Sequence, residues 1–119
     1  MVNIQIASQF EDFLHPDEIV ATAETVLNQY AEESGLDLTI VIDTNETIQQ
    51  LNRDYLGIDS PTAVLSFYAH EFDPDTGNIY LGDVILSYPR AETQAAKAGH
   101  VTRAEVLLLV IHGTLHLLG

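Results

Sequence analysis

The sequence predicts an α+β domain, a small mixed β-sheet packed with helices, and three observations carry that expectation. Segments with alternating apolar residues are interspersed with segments of helical spacing, without the strict strand–helix–strand alternation of a parallel sheet. Two of the strand-like segments are joined by a turn cluster, which makes them an antiparallel pair. The final helix is apolar throughout, as a buried central helix would be.

Asn3 to Ala7 alternates Ile4 and Ile6 with polar neighbours and reads as a short strand. Pro16 suits the first turn of a helix, and Asp17 and Glu18 follow where the helix dipole favours acids. Ile19, Ala23, Val26, Leu27 and Tyr30 recur at helical spacing, with Gly35 as the expected stop. Leu36, Leu38, Ile40 and Ile42 alternate through a half-buried strand. Thr44 or Asn45 caps a second helix that buries Ile48, Leu51 and Tyr55 and ends at Gly57.

Asp59-Ser60-Pro61 forces an extended or turned link into a β-rich run from Thr62 to Ala69. Asp73 to Asn78 is the turn cluster, and Ile79 to Ser87 is the second arm of the hairpin. Pro89 opens an Ala-rich third helix that Gly99 closes. Thr102 and Glu105 have capping-box spacing at the head of the last helix.

Composition excludes several classes. With 119 residues, 46% of them hydrophobic, the chain is long enough for one core and too apolar for a disordered acidic tail. It contains no cysteine, so disulfides, thiolate metal sites and cysteine nucleophiles are closed, and a reducing cytoplasmic setting is expected. No basic start or long apolar run marks a signal, and no apolar stretch reaches the ~20 residues of a bilayer span, so no membrane partner is expected. Four Lys and Arg against 18 Asp and Glu give a net charge of −14. That balance opposes non-specific phosphate binding, and no DNA partner is expected.

His112 and His116 lie four apart on the last helix. One turn, about 5–6 Å, separates them on one face, and two imidazoles so placed can reach one metal ion. The plainer alternative is a pair of core histidines, each bonded to a carbonyl or carboxylate. The stretch from His112 to Gly119 overlays the long zincin pattern HExxHxxGxxH through its glycine, so a zincin-like helix carries the pair. Gly113 replaces the glutamate that would serve as peptidase base, which removes protease chemistry. Two histidines alone fall short of the three protein ligands of a catalytic zinc site. His70-Glu71 lacks the cysteine context of a zinc deaminase. His15 and His100 border helix ends and are expected at the surface or in caps.

Four collinear segments resemble the YbeY endoribonucleases. His112-Gly113-Thr114-Leu115-His116-Leu117-Leu118-Gly119 is similar to the start of that family's HGxLHLxGYDH motif. The run Asp59-Ser60-Pro61-Thr62-Ala63-Val64-Leu65-Ser66-Phe67 resembles its DxPTDVLSF segment, Leu51-Asn52-Arg53-Asp54-Tyr55 its LNxxY helix end, and Leu81-Gly82-Asp83-Val84-Ile85-Leu86-Ser87 its GDIxIS strand.

The resemblance implies a zinc-dependent, single-strand-specific endoribonuclease acting in 3′-end maturation of small-subunit ribosomal RNA and in ribosome quality control. Its partners would be single-stranded or ribosomal RNA and the small ribosomal subunit. It implies one zinc ion on three histidines, of which His112 and His116 are two. The third falls beyond Gly119, so residues 1–119 are expected to be a single YbeY-like metalloprotein domain that stops just short of it. His112, Ser66 and Asp83 are the expected catalytic residues: Ser66 and Asp83 on strands flanking the site, with Asp83 aiming a histidine. The chain departs from the pattern at Leu56, Ala63 and Tyr68, where the family carries Arg, Asp or Asn, and Pro. Leu56 and the scarcity of basic residues also fit a non-catalytic module docking on the small subunit, and the zincin-like spacing fits another metal-dependent hydrolase.

Overall fold

The computed structural model describes residues 1–30, 35–58 and 62–119, with Tyr30 by its backbone. In chain order the elements are β1 (Val2–Ile6), a 3-10 helix (Ser8–Phe13), α1 (Pro16–Tyr30), β2 (Leu36–Asp43), α2 (Asn45–Leu56), β3 (Val64–Phe72), β4 (Ile79–Ser87), α3 (Tyr88–Ala98) and α4 (Thr102–Leu118). The four strands form one mixed sheet in the order β1-β2-β4-β3. β1, β2 and β4 run parallel, and β3 pairs antiparallel with β4 as the hairpin requires. The α+β expectation holds.

Alternation sorts the sheet into two faces. Leu38, Ile40, Ile42, Val84 and Leu86 point to one side and are fully buried, in one core with Ile19, Ala23 and Leu27 of α1 and Val106, Val110 and Leu117 of α4. On the other side, Val41, Leu65, Phe67 and Ile85 meet Ile48 and Leu51 of α2. Burial of side chains this size is the main stabilising term, roughly 1.5–3 kcal/mol each.

Local chemistry sets most boundaries. Thr44 caps α2 by accepting from the Thr47 amide, and Gly57 ends it at φ 72, left-handed backbone where glycine is at ease. Ser87 caps α3 in the same way, accepting from the Arg90 amide, so the helix starts at Tyr88, one residue before Pro89. Residues 31–34 and the link Asp59-Ser60-Pro61 lie outside the described residues.

The residues between β1 and α1, on which the sequence gives no expectation, form a 3-10 helix whose Phe10 stacks on Tyr88 with centroids 4.8 Å apart. Three expectations are corrected. Tyr55 is 70% exposed, and Asn52, not Tyr55, is the third inward residue of α2. The capping box at α4 does not form: Val101 is the cap residue without a side-chain bond, and the Glu105 carboxylate sits 2.6 Å from His100 Nε2. Finally, α4 is not buried all round, because Leu108, His112, Leu115 and His116 face solvent. Among the described residues no single helix is long and apolar enough to cross a membrane, and α3 and α4 are bent 110° from each other.

Candidate functional site

Helix α4 crosses the sheet with its buried face down, and the crossing is close at one residue. A Cβ built on Gly113 would lie 2.5 Å from Val84 Cγ1 and 3.4 Å from Ser66 Oγ. Glycine at this position therefore brings the helix backbone down onto β4 and β3. Ser66 Oγ donates a hydrogen bond to the Gly113 carbonyl at 3.3 Å. The residue before Gly113 is His112, so β3 holds the helix at the turn that presents the histidine.

His112 and His116 stand on the outer face of the helix, both exposed, with ring centroids 5.5 Å apart and planes inclined at 56°. They are not core histidines satisfied by buried partners. Imidazole nitrogens accept a metal ion when neutral, and two rings one turn apart with no cation between them fit the histidine part of a zinc ligand set. Among the described residues, no group of three His, Cys, Asp or Glu gathers to hold a metal. The pair is two exposed imidazoles, open to solvent.

Ser66 lies beneath the helix at Gly113, on the sheet side and not on the exposed histidine face, and its hydroxyl is engaged with the helix backbone. Asp83 is not adjacent, which corrects the expectation that it aims a histidine. The hairpin register pairs Ser66 with Val84 and Phe67 with Asp83. Val84 touches Gly113, so the neighbouring Asp83 projects from the opposite face of the sheet. There it lines a groove of about 290 Å³ with Leu51, Tyr55, Phe67 and Ile85.

The Asp83 carboxylate has its own partner. The Tyr80 hydroxyl donates to it and lies 2.7 Å from Thr39 Oγ1. Burial, and then the bond to the carboxylate, hold the Tyr80 phenol above its usual pKa against a smaller lowering effect from Thr39. Tyr80 and Asp83 would point to opposite faces of a regular strand. They meet because the register against β2 jumps from Asp37–Tyr80 to Leu38–Gly82, leaving Leu81 as an extra residue. Nothing in residue order marks that bulge except the glycine beside it.

The remaining residues singled out above are scattered. Ala63 is buried, and its carbonyl accepts from the Ser87 amide; Leu56 is exposed at the end of α2. His15 is exposed and its carbonyl starts α1, while His100 is half-buried against Glu105. Tyr68 and His70 stack on each other near the outer end of β3. Of the four cations, Arg53 lies beside Asp54 and Arg103 beside Glu18, at 3.5 and 3.1 Å.

The family model described as Endoribonuclease YbeY matches residues 3–119. An endoribonuclease YbeY of Dehalococcoides mccartyi is 38% identical over 130 aligned residues, covering 99% of this chain and 76% of its own. That of Moorella thermoacetica is 37% identical over 96% of this chain and 80% of its own. A solution structure of a Thermotoga maritima protein superposes with a TM-score of 0.66 at 24% identity, covering all of this chain and 73% of the other, a likeness of fold.

Proposed function

The chain belongs to the endoribonuclease YbeY family, and from that membership we propose that it is a zinc-dependent, single-strand-specific endoribonuclease. Its setting is the cytoplasm. Its substrate is ribosomal RNA, its partner the small ribosomal subunit, and its task the maturation of the small-subunit RNA 3′ end together with ribosome quality control.

One observation carries the reading to particular residues: the exposed imidazoles of His112 and His116, 5.5 Å apart on a helix whose opposite face is fixed in the core. These two residues would hold the ion. Zinc, when bound, supplies Lewis acidity towards a phosphate oxygen and lowers the pKa of bound water towards ~7. The rest belongs to the protein. Val110, Thr114 and Leu117 are buried and keep α4 rigid, so the two rings are presented at fixed spacing. Ser66 is a positioning residue: its bond to the Gly113 carbonyl sets the height of His112 above the sheet. The outward orientation of both rings leaves room for an extended phosphodiester to approach from solvent, which a paired duplex would do less readily.

The test is zinc content by mass spectrometry on the full-length protein, together with cleavage of unstructured and duplex RNA. Near-stoichiometric zinc, cutting of the unstructured RNA alone, and loss of cutting in His112→Ala are expected. Metal-free protein that cuts neither RNA would overturn the reading.

A further inference from the structure

β3 is an edge strand, and its outer part carries a pair of aromatic rings that the histidine chemistry does not use. Tyr68 and His70 stack with centroids 5.4 Å apart and planes only 14° from parallel. In a regular strand, residues two apart share a face but stand about 7 Å from each other. Here the pairing of β3 with β4 shifts between Tyr68 and Glu71, and His70 is the one non-glycine among the described residues with positive φ, at 51°. The irregularity draws the His70 ring in under Tyr68. Tyr68 itself remains 64% exposed, a large ring braced on one side and wet on the other.

Its direction matters. Ser66 pairs with Val84 and Tyr68 with Gly82, so both side chains leave the same face of the strand. Ser66 reaches the Gly113 carbonyl beside His112. The Tyr68 ring therefore leaves the same side of the sheet that α4 covers, about 7 Å further along the strand than Ser66. With four Lys and Arg against 18 acids, phosphate neutralisation cannot supply much grip on a nucleic acid. Stacking of a base on an aromatic ring needs no charge and requires that the base be unpaired.

We propose that Tyr68, braced by His70, is a stacking platform for an unpaired base of the substrate strand, seating it so that a neighbouring phosphodiester lies at His112 and His116. The platform rests on the RNA-cleaving reading above. The family pattern carries proline where this chain has Tyr68, so the ring is a feature of this chain and not one implied by the resemblance.

The test is fluorescence anisotropy of a labelled, unstructured octaribonucleotide, in a His112→Ala background so that it is not cut. Tyr68→Ala should weaken binding roughly 5- to 150-fold, the range for loss of one base–aromatic stack. Tyr68→Phe should bind like the parent, and an oligonucleotide with abasic sites should bind the parent and Tyr68→Ala alike. Cleavage by the otherwise unaltered enzyme is read separately. Equal binding by the parent and Tyr68→Ala, with cleavage intact, overturns the platform and leaves the endoribonuclease reading standing. Tyr68-dependent binding without cleavage keeps the platform and sinks that reading; no binding and no cleavage sinks both.

Discussion

Gly113 and Val84 meet more closely than any side chain at position 113 would allow. A Cβ there would stand 2.5 Å from Val84 Cγ1, and Val84 is fully buried and β-branched, with little freedom to turn aside. On helix propensity alone Gly113→Ala would gain about 1 kcal/mol. Overpacking typically costs about 1–3 kcal/mol and wins here, so the variant should be destabilised by about 1 kcal/mol in urea unfolding. Adding Val84→Ala should then cost less than it does in the parent, because the two changes share one contact. Additive effects would show that the close approach is not what keeps glycine at this position.

Ser87 joins three elements with one hydroxyl. It accepts from the Arg90 amide to start α3, donates to Asn45 Oδ1 at the start of α2, and is fully buried at the end of β4. Ser87→Ala loses a cap and leaves the asparagine oxygen without its donor, so a cost of about 2 kcal/mol is expected. Thr44→Ala loses a half-buried cap and a bond from its hydroxyl to Thr47 Oγ1, but leaves Asn45 Oδ1 with its donor, and should cost about half as much. Equal losses on denaturant titration would mean that the Asn45 bond contributes nothing.

These contrasts also show which parts of the molecule are legible in the sequence. Thr44, Gly57 and Gly99 could be read as helix ends because a cap is decided by the residues next to it. The histidine pair was legible for the same reason, since i,i+4 spacing fixes a shared face whatever surrounds the helix. Thr102 fails as a cap because His100 offers Glu105 a better partner, a competition that spacing does not show. The placement of Asp83 is hidden from the sequence for a deeper reason. Its face depends on the hairpin register, and its bond to Tyr80 depends on the extra residue Leu81 in the ladder with β2, so both are set by strands distant in sequence. The exposure of Leu108 and Leu115 likewise belongs to packing, not to apolar content.

Alkaline pH should loosen the fold through two phenols, half-buried Tyr80 and buried Tyr88. Burial raises the pKa of both Tyr80 and Tyr88, helped by the Asp83 bond in the first and the Glu92 charge in the second. A phenol whose folded pKa exceeds its unfolded value of about 10 favours the folded state fully below pH ~10, and that contribution is lost as pH rises through the folded value. Denaturant midpoints should thus be flat up to about pH 9.5 and fall above it. Tyr80→Phe should lower stability at neutral pH, through loss of the Asp83 bond, while flattening the alkaline decline. A decline as steep in Tyr80→Phe as in the parent would assign it to other groups.

Zinc should act on stability as well as on chemistry. A ligand that binds only the folded protein stabilises it by about 2.7 kcal/mol at a free concentration one hundred times its Kd. For the full-length protein, added zinc should raise Tm and a chelator should reverse the rise. His112→Ala and His116→Ala should each abolish most of the response, because each removes one of the two exposed imidazoles that share the outer face of α4. His100→Ala should keep it, since that ring is committed to Glu105 at the α3–α4 corner. Surface histidines bind zinc weakly wherever they occur, so the comparison with His100→Ala is what makes the result specific. A Tm that zinc leaves unmoved, or a response that survives in both His112→Ala and His116→Ala, would remove the metal from this helix and leave the two rings as surface residues.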